Sequence, residues 1–149
     1  MSYQSFEQVL QKCHTEEKEF WRVILEDDMA ERNVSEEDSM EHMRATWDAM
    51  LLAAATYEGN LSSSSGLVGG DGRRMEEYIR SAQPQSLCGE YVDTCIAGAL
   101  QMGESNACMK RIVAAPTAGA CGVLPAVLVP YFQKRCKDTD KILKAMYVA

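Results

Sequence analysis

The chain has 149 residues, 46% of them hydrophobic and 25% charged, with a formal net charge of -7. These proportions are ordinary for a globular protein and exclude a disordered chain, a collagen-like repeat and a simple coiled coil. The acidic balance also argues against a nucleic-acid-binding surface.

Read along the chain, the pattern is helical nearly throughout. Ser5-Phe6-Glu7-Gln8 is a capping box that opens a short helix ending near Cys13. Thr15, followed by Glu16 and Glu17, is expected to open a second helix carrying Phe20, Val23, Ile24 and Met29 on one face. Ser35 opens a third, in which Met40, Met43, Trp47, Met50 and Leu51 recur at three and four residues, ending near Tyr57. Residues 1–60 hold 14 acids and 5 bases, which reads as solvated helix faces and caps rather than paired catalysts. His14 and His42 lie in this region as surface or half-buried side chains.

Residues 58–72, EGNLSSSSGLVGGDG, form a loop, because a run of serines with interspersed glycines suits neither helix nor strand. Asp71 is expected to cap a helix through about Ser81, broken at Gln83-Pro84-Gln85. Tyr91–Met102 reads as a helix bounded by Gly89 and Gly103, with a separate helix over Ser105–Ile112. AAPTAGACG, residues 114–122, is a tight small-residue segment. A helix follows from Val123, with Pro125 in its first turn and Pro130 bending it, and Asp138 caps a last helix. That helix stops without a cap or polar tail, which reads as a truncated fragment. The fold class expected is all-α, a multi-helix domain with two Gly/Ser/Ala-rich loops. Two parts are expected, an acidic helical region over 1–57 and a motif-bearing one over 58–149.

Residues 112–133 lack charge, but Pro116, Pro125, Pro130, Gly119 and Gly122 make a buried helix and loop the better reading than a membrane span. The N-terminus has no basic region followed by an apolar core, so a cytoplasmic chain with reduced thiols is expected. Cys13, Cys88, Cys95, Cys108, Cys121 and Cys136 include no CxxC pair and no known cluster spacing. Buried apolar cysteine is the reading for most of them, with Cys121, in the small-residue segment, the candidate for reactivity.

Two segments carry candidate chemistry. In the first, glycines let backbone N–H groups approach a ligand, Ser63 and Ser65 offer hydroxyls, and the following helix N-terminus is a natural anion site for a phosphate or an amino-acid carboxylate. The Walker and dinucleotide spacings fail, because no Gly-Lys pair exists and Met75 stands where a third glycine would. In the second, Thr117 is the only strong hydrogen-bonding side chain, and close helix packing competes with close approach to a small substrate. A flexible surface loop and packing glycines are the plain alternatives in the two cases.

Together, SSSSGLVGGDGRRMEEYI (62–79) and ESNACMKRIVAAPTAGACGVLPAVL (104–128) resemble the α chain of iron–sulfur-dependent L-serine dehydratase. Ser63, Ser65, Gly66, Leu67, Gly69, Gly70 and Asp71 fit that family's first motif; Asn106, Ala107, Cys108, Met109, Arg111, Pro116, Thr117 and Gly119 fit its second. Lys110 departs from the family's usual glycine. The resemblance implies β-elimination of L-serine to pyruvate and ammonia, with a 4Fe-4S cluster acting as Lewis acid. The family's cluster cysteines lie in later segments that these residues lack, so no metal ligand is assigned here and the fragment alone is expected to be inactive. The substrate-binding residues implied are Ser63, Ser65, Gly66, Asp71, Arg111, Thr117 and Gly119, with Arg111 pairing with Asp71 or the substrate carboxylate, and the base is unassigned. L-serine and a β chain or β domain are the implied partners, and a homodimer is allowed. A related L-cysteine desulfidase-type lyase and a non-catalytic helical interaction module remain the alternatives.

Overall fold

A computed structural model describes residues 3–81, 86–115 and 117–149. The expected break at Gln83-Pro84-Gln85 and Pro116 of the small-residue segment lie outside the described residues. The chain is all-α, with no strand among the described residues: α1 (Phe6–Glu16), α2 (Phe20–Arg32), α3 (Glu36–Ala55), α4 (Asp71–Ile79), α5 (Glu90–Ala107), α6 (Val123–Tyr131) and α7 (Thr139–Val148). It divides into two units, one of residues 1–47 and 138–149, the other of residues 48–137, with the boundary inside α3.

Local capping chemistry starts three of these helices where the sequence places it. Ser5 Oγ accepts from the Gln8 N–H at 3.3 Å, and Gln8 Oε1 reaches back to the Gln4 N–H at 2.8 Å. Ser35 and Asp38 form a reciprocal box: Ser35 Oγ accepts from the Asp38 N–H at 3.1 Å and Asp38 Oδ2 from the Ser35 N–H at 3.3 Å. Asp138 Oδ1 accepts from the Lys141 N–H at 3.2 Å to open α7. Thr15 opens nothing. It sits inside α1 and donates to the Gln11 carbonyl at 2.9 Å, and the helix ends only at Glu17, in the left-handed region with φ of 52°.

In the first unit, Val9, Val23, Leu25, Trp47, Ile142 and Leu143 are buried, and α2 packs on α1 and on α7. Ser39, 1% exposed, donates to Asp28 and shares a 2.7 Å hydrogen bond with the Tyr147 hydroxyl, so its buried hydroxyl is satisfied within the core. The acidic runs spread over exposed faces, where Lys18 bridges Glu16 and Glu26 and Arg22 bridges Glu26 and Glu36. Asp27 is the exception, being buried. His14 and His42 are both exposed.

In the second unit, α5 is the central element, packed against α4 and α6. Its length corrects the reading of two helices separated at Gly103: one helix runs through to Ala107. Gly103 is exposed, while its neighbours Met102, Glu104 and Ser105 are buried, and their burial outweighs the roughly 1 kcal/mol that a mid-helix glycine costs. Helix is lost instead at Met109, with φ of 60°, after which Lys110 donates its N–H to the Ser105 carbonyl at 2.8 Å. Residues 108–112 are therefore a helix end and an irregular exit, not a helix. A Cβ added at Gly103 would meet no atom within 4 Å, so Gly103→Ala is expected to stabilise the second unit by about 0.5–1 kcal/mol, read as a raised urea midpoint.

Pro125 lies in the first turn of α6, where its missing N–H costs nothing. Pro130 cannot donate back to α6, and the chain leaves the α pattern soon after: a wide π turn over Phe132–Cys136 closes with the Lys137 N–H on the Phe132 carbonyl at 3.0 Å. No helix among the described residues is long and apolar enough to cross a membrane.

Candidate functional site

The serine–glycine loop is internally bonded rather than a loose coil. The Ser63 N–H donates to the Val68 carbonyl at 2.8 Å, and the Val68 N–H returns to Ser63 Oγ at 3.1 Å. Inside this closure the Gly66 N–H donates to the Ser63 carbonyl at 2.8 Å and the Leu67 N–H to Ser65 Oγ at 3.4 Å. Ser63 Oγ and Ser65 Oγ lie 3.1 Å apart and share one hydroxyl hydrogen. That leaves the other hydroxyl free to donate to an incoming acceptor. Gly66 holds a φ of 72°, and at Gly69, with φ of 150°, a side chain would run into the Leu61 carbonyl. Ser65 and Gly66 are exposed and Ser63 is half-buried.

The loop leads into α4, and here the structure departs from the expected capping. Asp71 makes no cap. It is the first residue of the helix, and its carboxylate, more than half exposed, pairs with Arg74 at 3.0 Å. The acceptor comes from 33 residues away. Glu104, on α5 and 3% exposed, takes the Asp71 N–H at 2.5 Å and the Gly72 N–H at 3.0 Å on one oxygen, and the Tyr57 hydroxyl at 2.5 Å on the other. The anion that the α4 N-terminus attracts is thus the chain's own. Burial alone would raise the Glu104 pKa, but the Tyr57 hydroxyl and the N–H groups of residues 70–72 outweigh it and hold the carboxyl below its ordinary value. Burial and then the neighbouring carboxylate push the Tyr57 phenol well above its ordinary value, so it stays a donor. Gly72 permits this approach: a Cβ there would stand 2.8 Å from Gln101 Cγ and 2.9 Å from the Tyr57 hydroxyl oxygen.

The second segment is anchored to the same helix end. Asn106 Nδ2 donates to the Ala118 carbonyl at 3.2 Å. Thr117 Oγ1 accepts from the Ala120 N–H at 3.2 Å and caps the single 3-10 turn Ala118–Ala120. Thr117 and Gly119 are exposed. The glycine after them has a packing role: a Cβ at Gly122 would lie 3.0 Å from the Ala99 carbonyl oxygen, as one at Gly98 would lie 3.4 Å from Ala126 Cα. Part of the small-residue signal is therefore helix crossing between α5 and α6, and part is the exposed turn at 117–119.

Glu104 and Asn106 stand two residues apart, so they leave α5 on opposite flanks, separated along the axis by about 3 Å. The two glycine-bearing segments consequently flank one end of α5. No hydrogen bond joins residues 61–70 directly to residues 117–122 among the described residues. Arg111 is exposed and does not pair with Asp71, whose partner is Arg74. Of the candidates, Ser63, Ser65 and Gly66 share one turn and Thr117 and Gly119 the other. Glu104 and Tyr57, given no site role in the sequence reading, connect the first turn to α5. The only available signal for Glu104 was an acid at the head of the second motif, and nothing local says what it touches.

Cys121 is 2% exposed, and burial raises its thiol pKa. A protonated, enclosed thiol is a poor nucleophile, so the expectation of a reactive Cys121 does not hold. Nor do the residues present suit an iron–sulfur cluster: among the described residues no three His, Cys, Asp or Glu side chains converge, and Cys121 is enclosed in the core.

Comparison with known proteins agrees with these motifs. The profile of the family described as "Serine dehydratase alpha chain" matches residues 15–149. The chain is similar to the L-serine dehydratase, alpha chain, of Peptoniphilus asaccharolyticus, 30% identical over 139 residues, covering 91% of this chain and 46% of that one. It is 29% identical over 127 residues to the probable L-serine dehydratase, alpha chain, of Bacillus subtilis (strain 168), covering 85% and 42%. To the L-serine dehydratase of Haemophilus influenzae it is 30% identical over 154 residues, covering 99% and 32%. The chain thus spans less than half the length of these relatives. No solved structure matches it significantly. With the profile covering all but the first helix turns, this chain belongs to the serine dehydratase alpha chain family.

Proposed function

We propose that this chain supplies substrate-binding elements of an L-serine ammonia-lyase. In that reaction a base removes the Cα proton of L-serine and the β-hydroxyl leaves as water. The aminoacrylate formed tautomerises to an imine, which water hydrolyses to pyruvate and ammonia. The observation that carries this reading is that both family motifs are tied to the same end of α5, one on each flank, the first through Glu104 and the second through Asn106. The reading assigns Ser63, Ser65 and the Gly66 backbone to one side of the substrate, Thr117 and Gly119 to the other, and Arg111 to the substrate carboxylate. Asp71 acts indirectly, as the anchor of the loop: its backbone N–H is held by Glu104 and its side chain is engaged with Arg74.

On this reading the thiolates of a 4Fe-4S cluster come from outside residues 1–149, and a β chain or β domain and a second copy are its candidate partners. L-cysteine desulfidation uses the same eliminating geometry with a thiol leaving group, and relative sulfide and pyruvate yields separate the two. Ser65→Ala and Thr117→Ala in the assembled enzyme are the direct test. Each removes one side-chain contact to substrate, so serine-dependent pyruvate formation should fall by about tenfold or more in kcat/KM, with helical content unchanged. Unchanged turnover in both variants would leave the turns with a packing role and favour a helical interaction module.

A further inference from the structure

We propose that Glu104 is a positioning residue for the substrate-side loop, an internal anion that occupies the α4 N-terminus and thereby fixes residues 63–70 in their binding shape. The inference rests on the lyase reading above and deepens it. A loop of this kind joined to a bare helix N-terminus has N–H donors pointing at whatever anion arrives, and a substrate carboxylate would compete for them. Here the competition is already decided. One Glu104 oxygen takes the N–H groups of Asp71 and Gly72, the other takes the Tyr57 hydroxyl, and the side chain is buried. Each known donor of the cradle has a partner within the chain.

The consequence reaches the serines. Gly69 and Gly70 are the only residues between the Val68 closure of the loop and the Asp71 N–H held by Glu104. Both are in positive-φ conformations that other residues rarely adopt, so loop and tether form one covalently short unit. Releasing the tether frees the hinge on one side of the Ser63–Val68 closure. It does not remove a group that contacts substrate. Because the cradle is filled, the substrate carboxylate must find its partners elsewhere, among the free serine hydroxyl and Arg111.

The test compares wild type, Glu104→Gln and Tyr57→Phe in the assembled enzyme, by steady-state kinetics on L-serine and by amide hydrogen exchange. Glutamine keeps the shape but presents an NH2 group to one set of donors. The expected result for Glu104→Gln is a KM for L-serine raised about tenfold, with kcat per folded enzyme within about threefold of wild type. Exchange at the Asp71 and Gly72 amides should quicken about tenfold or more, while exchange over residues 97–102 stays as in wild type. Tyr57→Phe, which keeps the backbone donors on the carboxylate, should move KM in the same direction by only about two- to threefold. An unchanged KM with faster Asp71 exchange overturns the positioning role, because the tether would then be structural alone. So does a kcat that falls with the folded fraction at constant KM. A wild-type enzyme that makes no pyruvate from L-serine overturns the lyase reading itself, and the positioning role with it.

Discussion

Glu104→Ala should cost the second unit about 3 kcal/mol, the largest single-residue loss expected among its polar groups. The substitution removes the common acceptor of the Tyr57 hydroxyl and of the Asp71 and Gly72 N–H groups. An unmade hydrogen bond at a buried donor costs roughly 1–3 kcal/mol, and water reaching the half-buried Tyr57 reduces the sum below three full penalties. Urea unfolding checks it: the midpoint should fall without a change in slope. The pH dependence follows from the same contact. The Glu104 carboxyl is held below its ordinary value in the folded chain, because its donors outweigh its burial. Its contribution is therefore complete above the unfolded carboxylate pKa and is lost as pH falls through the depressed folded one. Wild type should lose stability with acid over that window more steeply than Glu104→Ala, which has no such proton to take up. Parallel acid profiles for the two proteins would show that folding does not depress the Glu104 pKa.

The second large effect is expected at Gly69. Gly69→Ala should disable the serine loop while leaving the helices intact. Two costs add there. The residue's φ of 150° is one that side chains rarely adopt, and the new Cβ would press on the Leu61 carbonyl and stand 2.9 Å from Ser62 Cα. Because both obstacles are backbone, no rotamer change relieves them. The loop must open at the Ser63–Val68 closure, at an expected cost of about 2–3 kcal/mol confined to that segment. Far-ultraviolet circular dichroism should be unchanged, and exchange at the Ser63 and Val68 amides should rise sharply. On the lyase reading, serine turnover in the assembled enzyme should fall at least as far as in Ser65→Ala. Gly66→Ala is the internal comparison. It shares a positive φ, of 72°, but no atom lies within 4 Å of its Cβ position. Its cost should stay near 1–2 kcal/mol, the left-handed penalty alone. Equal costs at the two glycines would mean that the Leu61 carbonyl is free to move.

The all-α class and most helix starts were legible in the residues because each rests on neighbours in the chain. Ser5 with Gln8, Ser35 with Asp38 and Asp138 with Lys141 are four-residue devices, and their hydrogen bonds form with little reference to anything distant. The misread boundaries have a common cause. Thr15 had the composition of a cap but lay one turn too early, and the left-handed turn at Glu17 that ends α1 leaves no mark in residue type. Gly103 carried the local signature of a stop, yet burial of Met102, Glu104 and Ser105 beside it kept α5 whole.

The candidate site divides in the same way. The two glycine-bearing segments, their membership of one family and the closure of the serine turn follow from short stretches of chain. That both segments are tied to the same end of α5 does not. It depends on a carboxylate reaching back 33 residues to the start of α4 and an amide reaching forward 12 residues to Ala118. Local chemistry announced an anion site at α4 and named Asp71 as its cap. Only the packing of α4 on α5, made close by the missing side chain of Gly72, puts Glu104 there instead. A helix N-terminus attracts negative charge whatever its source, and which charge arrives is decided by what the folded chain brings within reach.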